Sequence, residues 1–167
     1  TEASYDLIPG TACLCLLEGT PDSPFNFSVV PFVDLAMEEG LNGQVDAYYR
    51  KIKLKNHLVE KQWVGAKFEY EKGKEEEVAE LIECTYYDYD IKRWHYVVID
   101  KQTHRFVVER IYKCSPFIDL RWTKCAGETY GRGVGLKVIA DVKTLNRIKE
   151  YSLRALSFSV PTFTCTM

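Results

Sequence analysis

SPFIDLRWTKCAGETYGRGVGLKVIADVKTLN, Ser115 to Asn146, holds the transition that decides the fold. Phe117 to Trp122 reads as a half-apolar strand, because apolar and polar side chains alternate along it. The next residues carry Gly127, Gly131, Gly133 and Gly135. Glycine accepts backbone angles that clash for other residues, so this density predicts a sharp turn with Gly131 and Gly133 at positive φ. An amphipathic helix is then expected from near Val134 to Ser159. Its stripe is Val138, Val142, Leu145, Ile148, Tyr151 and Ala155, spaced by three and four. At ~1.5 Å per residue the helix spans about 39 Å, and Val160 with Pro161 stops it. Lys143, Arg147 and Arg154 fall along another face.

Two functions suit the glycine turn. A glycine-rich loop before a helix can aim free N–H groups at a phosphate. The alternative is an elbow that redirects the chain from body to helix. The spacing Gly131-Arg-Gly133-Val-Gly135-Leu-Lys137 matches neither G-x-G-x-x-G nor G-x-x-x-x-G-K-[ST], which favours the elbow.

Upstream, short apolar-alternating runs predict strands. Thr1 to Ile8 reads as a helix end broken by Pro9-Gly10, and Thr11 to Leu17 as a buried strand on which Cys13 and Cys15 alternate faces. Gly19 to Pro24 is a turn cluster. Phe25, Phe27 and Val29 are expected to cover a core with one face. Val33 to Met37 and Val45 to Leu54 flank a hairpin turn at Glu38 to Gly43. The apolar phase of the second strand changes, which predicts a bulge near Arg50. Leu58 to Val64 is a short helix candidate, and Lys72 to Glu77 a solvated charge run. Val78 to Tyr87, Arg93 to Asp100 and Arg105 to Lys113 read as a second strand group, with a hairpin turn at Asp100 to His104. Trp94, Tyr96 and Val98 form one core stripe, and Phe106, Val108 and Tyr112 another. The fold class is therefore α+β: a body of antiparallel strands at 1–126, an elbow at 127–135, a helix at 136–160 and a short tail at 161–167. The chain begins with Thr and reads as an excised piece of a longer protein.

Composition limits the function classes. The 167 residues suffice for one domain with a real core. A formal net charge of −2 gives no general affinity for nucleic acid, so any DNA role rests on local charge or many copies. No apolar run approaches the roughly 20 residues needed to cross a bilayer. The six cysteines have no C-x-x-C pair and no secretory signal beside them, which favours reduced thiols. His57, His95 and His104 have no ligand spacing, so no metal site is expected. Ser115 lacks a nucleophile elbow. Asp119 and Glu128 could be paired carboxylates, but salt bridges to Arg121 and Arg132 fit better. Asp88 and Asp90 sit at a hairpin end, where solvation is the simpler account. No cofactor is implied.

Ser115-Pro-Phe, Leu120-Arg-Trp122, Gly127-Glu-Thr-Tyr-Gly-Arg-Gly133 and Asp141-Val-Lys-Thr-Leu-Asn146 resemble, in this order, the portal proteins of tailed bacteriophages. The resemblance is to the head-to-tail connecting proteins of short-tailed phages. Ile8 to Ala12, Val30-Pro-Phe32 and Tyr48 to Lys51 resemble the same family more loosely. The resemblance implies a non-enzymatic dodecameric ring at one capsid vertex, a channel for double-stranded DNA during packaging and ejection. It implies partners in the terminase motor, capsid, scaffold and tail adaptor proteins, and none in a membrane. It places the protein in the virion, and in the host cytoplasm during assembly. Residues 1–126 would be wing-like, 136–160 stem-like and 161–167 the start of the clip. Arg121 and Trp122 form the strand motif, and Gly127, Tyr130, Gly131, Gly133 and Gly135 the elbow. Lys143, Arg147 and Arg154 would face the DNA channel or pair with Asp141 and Glu150 of adjacent helices. The alternative class is a cytoplasmic α+β enzyme that binds a phosphorylated ligand at Gly131 to Gly135.

Overall fold

The computed structural model describes residues 2–17, 25–70 and 73–159. The turn cluster at Gly19 to Pro24, the first residue of the charge run, the helix stop and the clip-like tail lie outside them. The elements are α1 (Glu2–Leu7), β1 (Thr11–Leu17), β2 (Asn26–Val30), β3 (Leu35–Glu39), β4 (Val45–Lys55), α2 (Asn56–Gln62), β5 (Val78–Asp88), β6 (Arg93–Asp100), β7 (Phe106–Tyr112), β8 (Phe117–Arg121) and α3 (Val134–Ser159). They form a three-stranded sheet in the order β2-β1-β8 and a five-stranded sheet in the order β3-β4-β5-β6-β7. Every strand pairing is antiparallel. The class is α+β, with a β-rich body followed by one long helix.

One face of the large sheet carries both cores. Tyr48, Arg50, Ile52 and Leu54 of β4 lie beside Thr85, Glu83, Leu81 and Ala79 of β5, with Trp94, Tyr96 and Val98 of β6 beyond. At one end this face meets the small sheet, where Cys13, Cys15, Val30, Leu35, Met37, Tyr48 and Phe117 pack together. At the other end it meets α2, where Val59 and Trp63 cover Leu81, Tyr96, Val98 and Val108. Side chains stand on alternate sides of a strand, so residues two apart share a side. Cys13 and Cys15 therefore do not alternate faces; both point into the first core.

The large sheet differs from the sequence expectation at two bulges. The phase change in β4 lies at Asp46, not Arg50: Ala47 partners Glu38 while Val45 partners the adjacent Glu39. The extra residue brings Val45 and Tyr48 to the same core. In β7, Val98 partners Val108 but Ile99 partners Phe106, so Val107 is the extra residue. Phe106 is thereby 63% exposed, and it leaves the stripe assigned to it while Val107 is buried.

The largest reversal is on β2. Its inward residue is the fully buried Val30, and Phe25, Phe27 and Val29 do not cover a core. Phe27 pairs with Leu16 on the outer side, because the register that puts Cys15 inward also puts Ser28 inward. Residues 32–34 form a 3-10 turn before β3, and α2 starts two residues earlier than expected. His104 closes the Asp100 turn at positive φ, with Asp100 accepting from Gln102, Thr103 and the Thr103 hydroxyl.

Candidate functional site: the elbow and the projecting helix

The joint between body and helix is a backbone-to-backbone contact. Ile8, Pro9 and Gly10 run against Gly131 to Gly135. Gly133 N–H donates to Pro9 O and Gly135 N–H to Ile8 O, each at 2.9 Å. Trp122 N–H donates to Gly10 O at 2.9 Å, and Gly131 N–H to Thr11 Oγ1 at 2.8 Å. A Cβ on Gly133 would stand 2.6 Å from both Gly10 N and the Pro9 carbonyl carbon, and nearer still to Ile8 O. A Cβ on Gly131 would stand 2.5 Å from Gly10 O. These glycines are required because two backbones touch.

That reason differs from the expected one. Gly131 and Gly133 have ordinary φ; the positive values near the joint belong to Gly10, at 139°, and Gly127, at 78°. Hydrogen bonding also weighs against the phosphate cradle. Gly131, Arg132, Gly133 and Gly135 all spend their N–H groups on protein oxygens, Arg132 on Thr123 O at 2.8 Å. An anion would find none of these four donors free.

Side chains brace the joint. Arg121 Nη1 pairs with Glu39 at 2.8 Å and reaches Thr129 O at 3.3 Å, while its Nε meets Asp119 Oδ2 at 2.9 Å. Tyr48 donates to the other Asp119 oxygen at 2.7 Å. Lys124 adds a second cation to Glu39 at 2.8 Å. The Lys124 hydrogen bond is the main reason Glu39 titrates below the usual carboxylate range, with Arg121 adding to it. Burial and the Asp119 carboxylate push the Tyr48 hydroxyl up, so it remains a donor. Tyr130 accepts from Met37 N–H at 3.2 Å and packs edge-on against Phe32. Arg121, Tyr130 and the elbow glycines thus converge on one joint. Trp122 contributes its backbone there, while its side chain is exposed. Pro9-Gly10 was visible in the sequence as a break. Thr11, Glu39, Tyr48 and Lys124 carried no local signal of their part, because only the fold brings them here.

Beyond the joint, α3 is 26 residues long and none of them is buried. With residues ~100° apart, Val134, Val138, Val142 and Leu145 fall within about 80° of one another. Lys143, Arg147 and Arg154 fall within about 40° on the opposite side. Arg154 pairs with Glu150 of its own helix at 2.7 Å. Lys143 and Arg147 have no ion pair among the described residues.

The remaining polar candidates have structural partners. Glu128 pairs with Arg132, and Asp119 with Arg121. Asp88 Oδ1 accepts from Asp90 and Ile91 N–H, closing its hairpin. Among the described residues no group of three or more His, Cys, Asp or Glu could hold a metal ion. A cleft of about 520 Å³ lies between the sheets, lined by Cys15, Trp63, Glu83, Tyr96 and Tyr112 among others. Burial pushes the Cys15 thiol up to about 12 and raises Tyr96 as well. Neither is a nucleophile at neutral pH. Five described cysteines are free thiols.

A braced β body that projects an uncovered amphipathic helix has the make-up of a structural assembly component. The chain belongs to the family of bacteriophage head to tail connecting proteins, whose sequence profile matches residues 1–163. It is a connector between phage head and tail, a structural part of the virion. No curated protein matches the chain.

Proposed function

We propose that the chain is part of a portal subunit of the short-tailed phage type. Copies form a ring at one vertex of the capsid, and the ring conducts double-stranded DNA during packaging and ejection. The body is wing-like over 1–126, residues 127–135 are the elbow, 136–160 are stem-like and 161–167 lead toward a clip. The terminase motor, scaffold and tail adaptor dock on the ring, which assembles in the host cytoplasm.

The observation that carries this reading is α3. Its apolar side is uncovered over the whole described length, and a stripe of that kind favours burial against protein. Neighbouring copies would supply the cover. Lys143, Arg147 and Arg154, on the other side, would then face the bore or a polar seam. One subunit offers too few cations to hold DNA, but rotational symmetry repeats each around the channel. A sparse ring of cations suits a conduit, because tight pairing to a polymer with a charge every ~1.7 Å would stall its movement.

Negative-stain imaging and mass photometry of the full-length protein test the proposal. Closed rings with an open centre are expected, binding DNA weakly, without sequence preference and less as salt rises. A protein that remains monomeric at assembly concentrations would overturn it.

A further inference from the structure

The small sheet is apolar on its outer side as well as over much of its inner side, where Asp119 and Arg121 belong to the joint. On its outer side Leu16 pairs with Phe27, Leu14 with Val29 and Ile118, and Ala12 with Leu120. α1 packs at the Ala12 end and leaves the rest open. Leu16, Phe27, Ile118 and Leu120 are 42%, 52%, 43% and 39% exposed, flanked by exposed Phe25 and Trp122. No charged residue stands in these outer rows. An apolar patch of this kind marks a contact surface.

We infer that this outer sheet face seats the apolar side of α3 from a second copy of the chain, a contact that rests on the ring reading above. The same chain carries two uncovered apolar surfaces, one flat and one helical, and a helix on a sheet is a standard layer pairing. The helix, about 39 Å long, is more than long enough to cover the open part of the sheet, since β1 spans only about 23 Å and its Ala12 end lies under α1. The two match in character over the first turns: Val134, Val138, Val142 and Leu145 give the helix an apolar face, with Asp141 at its edge and Lys149 one turn beyond Leu145. Within one chain they do not meet. The hydrogen bonds of Gly133 and Gly135 fix where α3 leaves the body, and no strand packs along it. A sheet on one copy meeting a helix on the next is a head-to-tail contact, the kind that closes into rings.

A photo-crosslinking residue in place of Phe27 tests the contact, in full-length protein assembled from a mixture of light and heavy-isotope chains. Mixed-isotope peptides joining β2 to residues 134–159 are expected. Rings whose cross-links are only same-isotope, or run to other segments or another virion protein, overturn the contact and leave the ring reading standing. A protein that forms no rings even without the substitution overturns both. Charge provides a second test. Phe27→Lys and Leu145→Lys should each cause loss of rings, and Phe27→Lys combined with Leu145→Glu should restore them. Both side chains are half exposed, so folding is retained and checked by thermal melting. Persistence of rings in both single variants would overturn the contact.

Discussion

Gly133→Ala places one methyl group where two backbones already touch. The new Cβ would meet Ile8 O, Gly10 N and the Pro9 carbonyl carbon, all far inside van der Waals contact. None is the flexible end of a side chain, so the strands must separate. Separation breaks the hydrogen bonds from Gly133 to Pro9 and from Gly135 to Ile8. At about 1 kcal/mol each these contribute ~2 kcal/mol, and forced overpacking adds about 1–3. The total of about 3–5 kcal/mol is a large share of the ~5–15 typical of a domain. At roughly 2–4 °C per kcal/mol for this size, the melting temperature should fall by about 6–20 °C. Urea denaturation followed by tryptophan fluorescence measures the difference. Gly127→Ala is the comparison, since that glycine has φ of 78° and open space around it. It should lose only about 1 kcal/mol, from strain alone. A Gly133→Ala protein within 1 kcal/mol of the parent, or no worse than Gly127→Ala, would refute close approach as the reason for the glycine.

Arg121→Met removes the cation that Glu39 and Asp119 share, leaving Glu39 with Lys124 and Asp119 with Tyr48, and should lower the urea midpoint in the same assay; an unchanged midpoint would contradict the bracing role. Glu83 is 2% exposed, and burial raises its titration above the usual range against the opposing Tyr96 hydrogen bond and Arg50 charge. Its raised value means the folded state favours the proton: this stability is full below the ordinary carboxylate pKa of about 4.3 and is lost as pH rises through the folded value. Glu83→Gln, which can still accept from Tyr96, should be no less stable than the parent at pH 8 and show a flatter stability profile from pH 5 upward; lower urea midpoints at both pH values would contradict it. Lys143→Glu with Arg147→Glu should leave rings intact and stall DNA packaging, and normal packaging by such rings would remove both residues from the DNA path.

Much of the body was legible from local pattern. An apolar run predicted β1, local apolar patterning predicted β5, β6 and β8, and the Asp100 turn followed from polar residues between two apolar runs. Bulges and strand register were the sources of error on the strands. One extra residue reverses every face assignment beyond it, and the partner strand decides where that residue sits. Hence β4 shifted phase at Asp46 and β7 at Val107, positions with no composition of their own to mark them. The joint was half legible: its glycines announced a tight turn, but their partner at Ile8 to Gly10 is more than a hundred residues away in the chain.

What the sequence determined by itself is whatever short range controls: the strands with strict alternation, the break at Pro9-Gly10, and a helix starting where the glycines end and its apolar spacing begins. Period and backbone freedom are properties of neighbouring residues, so a few positions suffice to read them. Only the tertiary structure decided which side of β2 faces inward, why Gly131 and Gly133 must lack side chains, and that Arg121 holds Glu39 and Asp119 together. It also decided that α3, once past the Gly135 contact with Ile8, leaves the body with none of its residues buried. Each of these depends on register and on contact between distant segments. The same Phe27 or Gly133 could be core or surface, strained or relaxed, until the partner strand is in place.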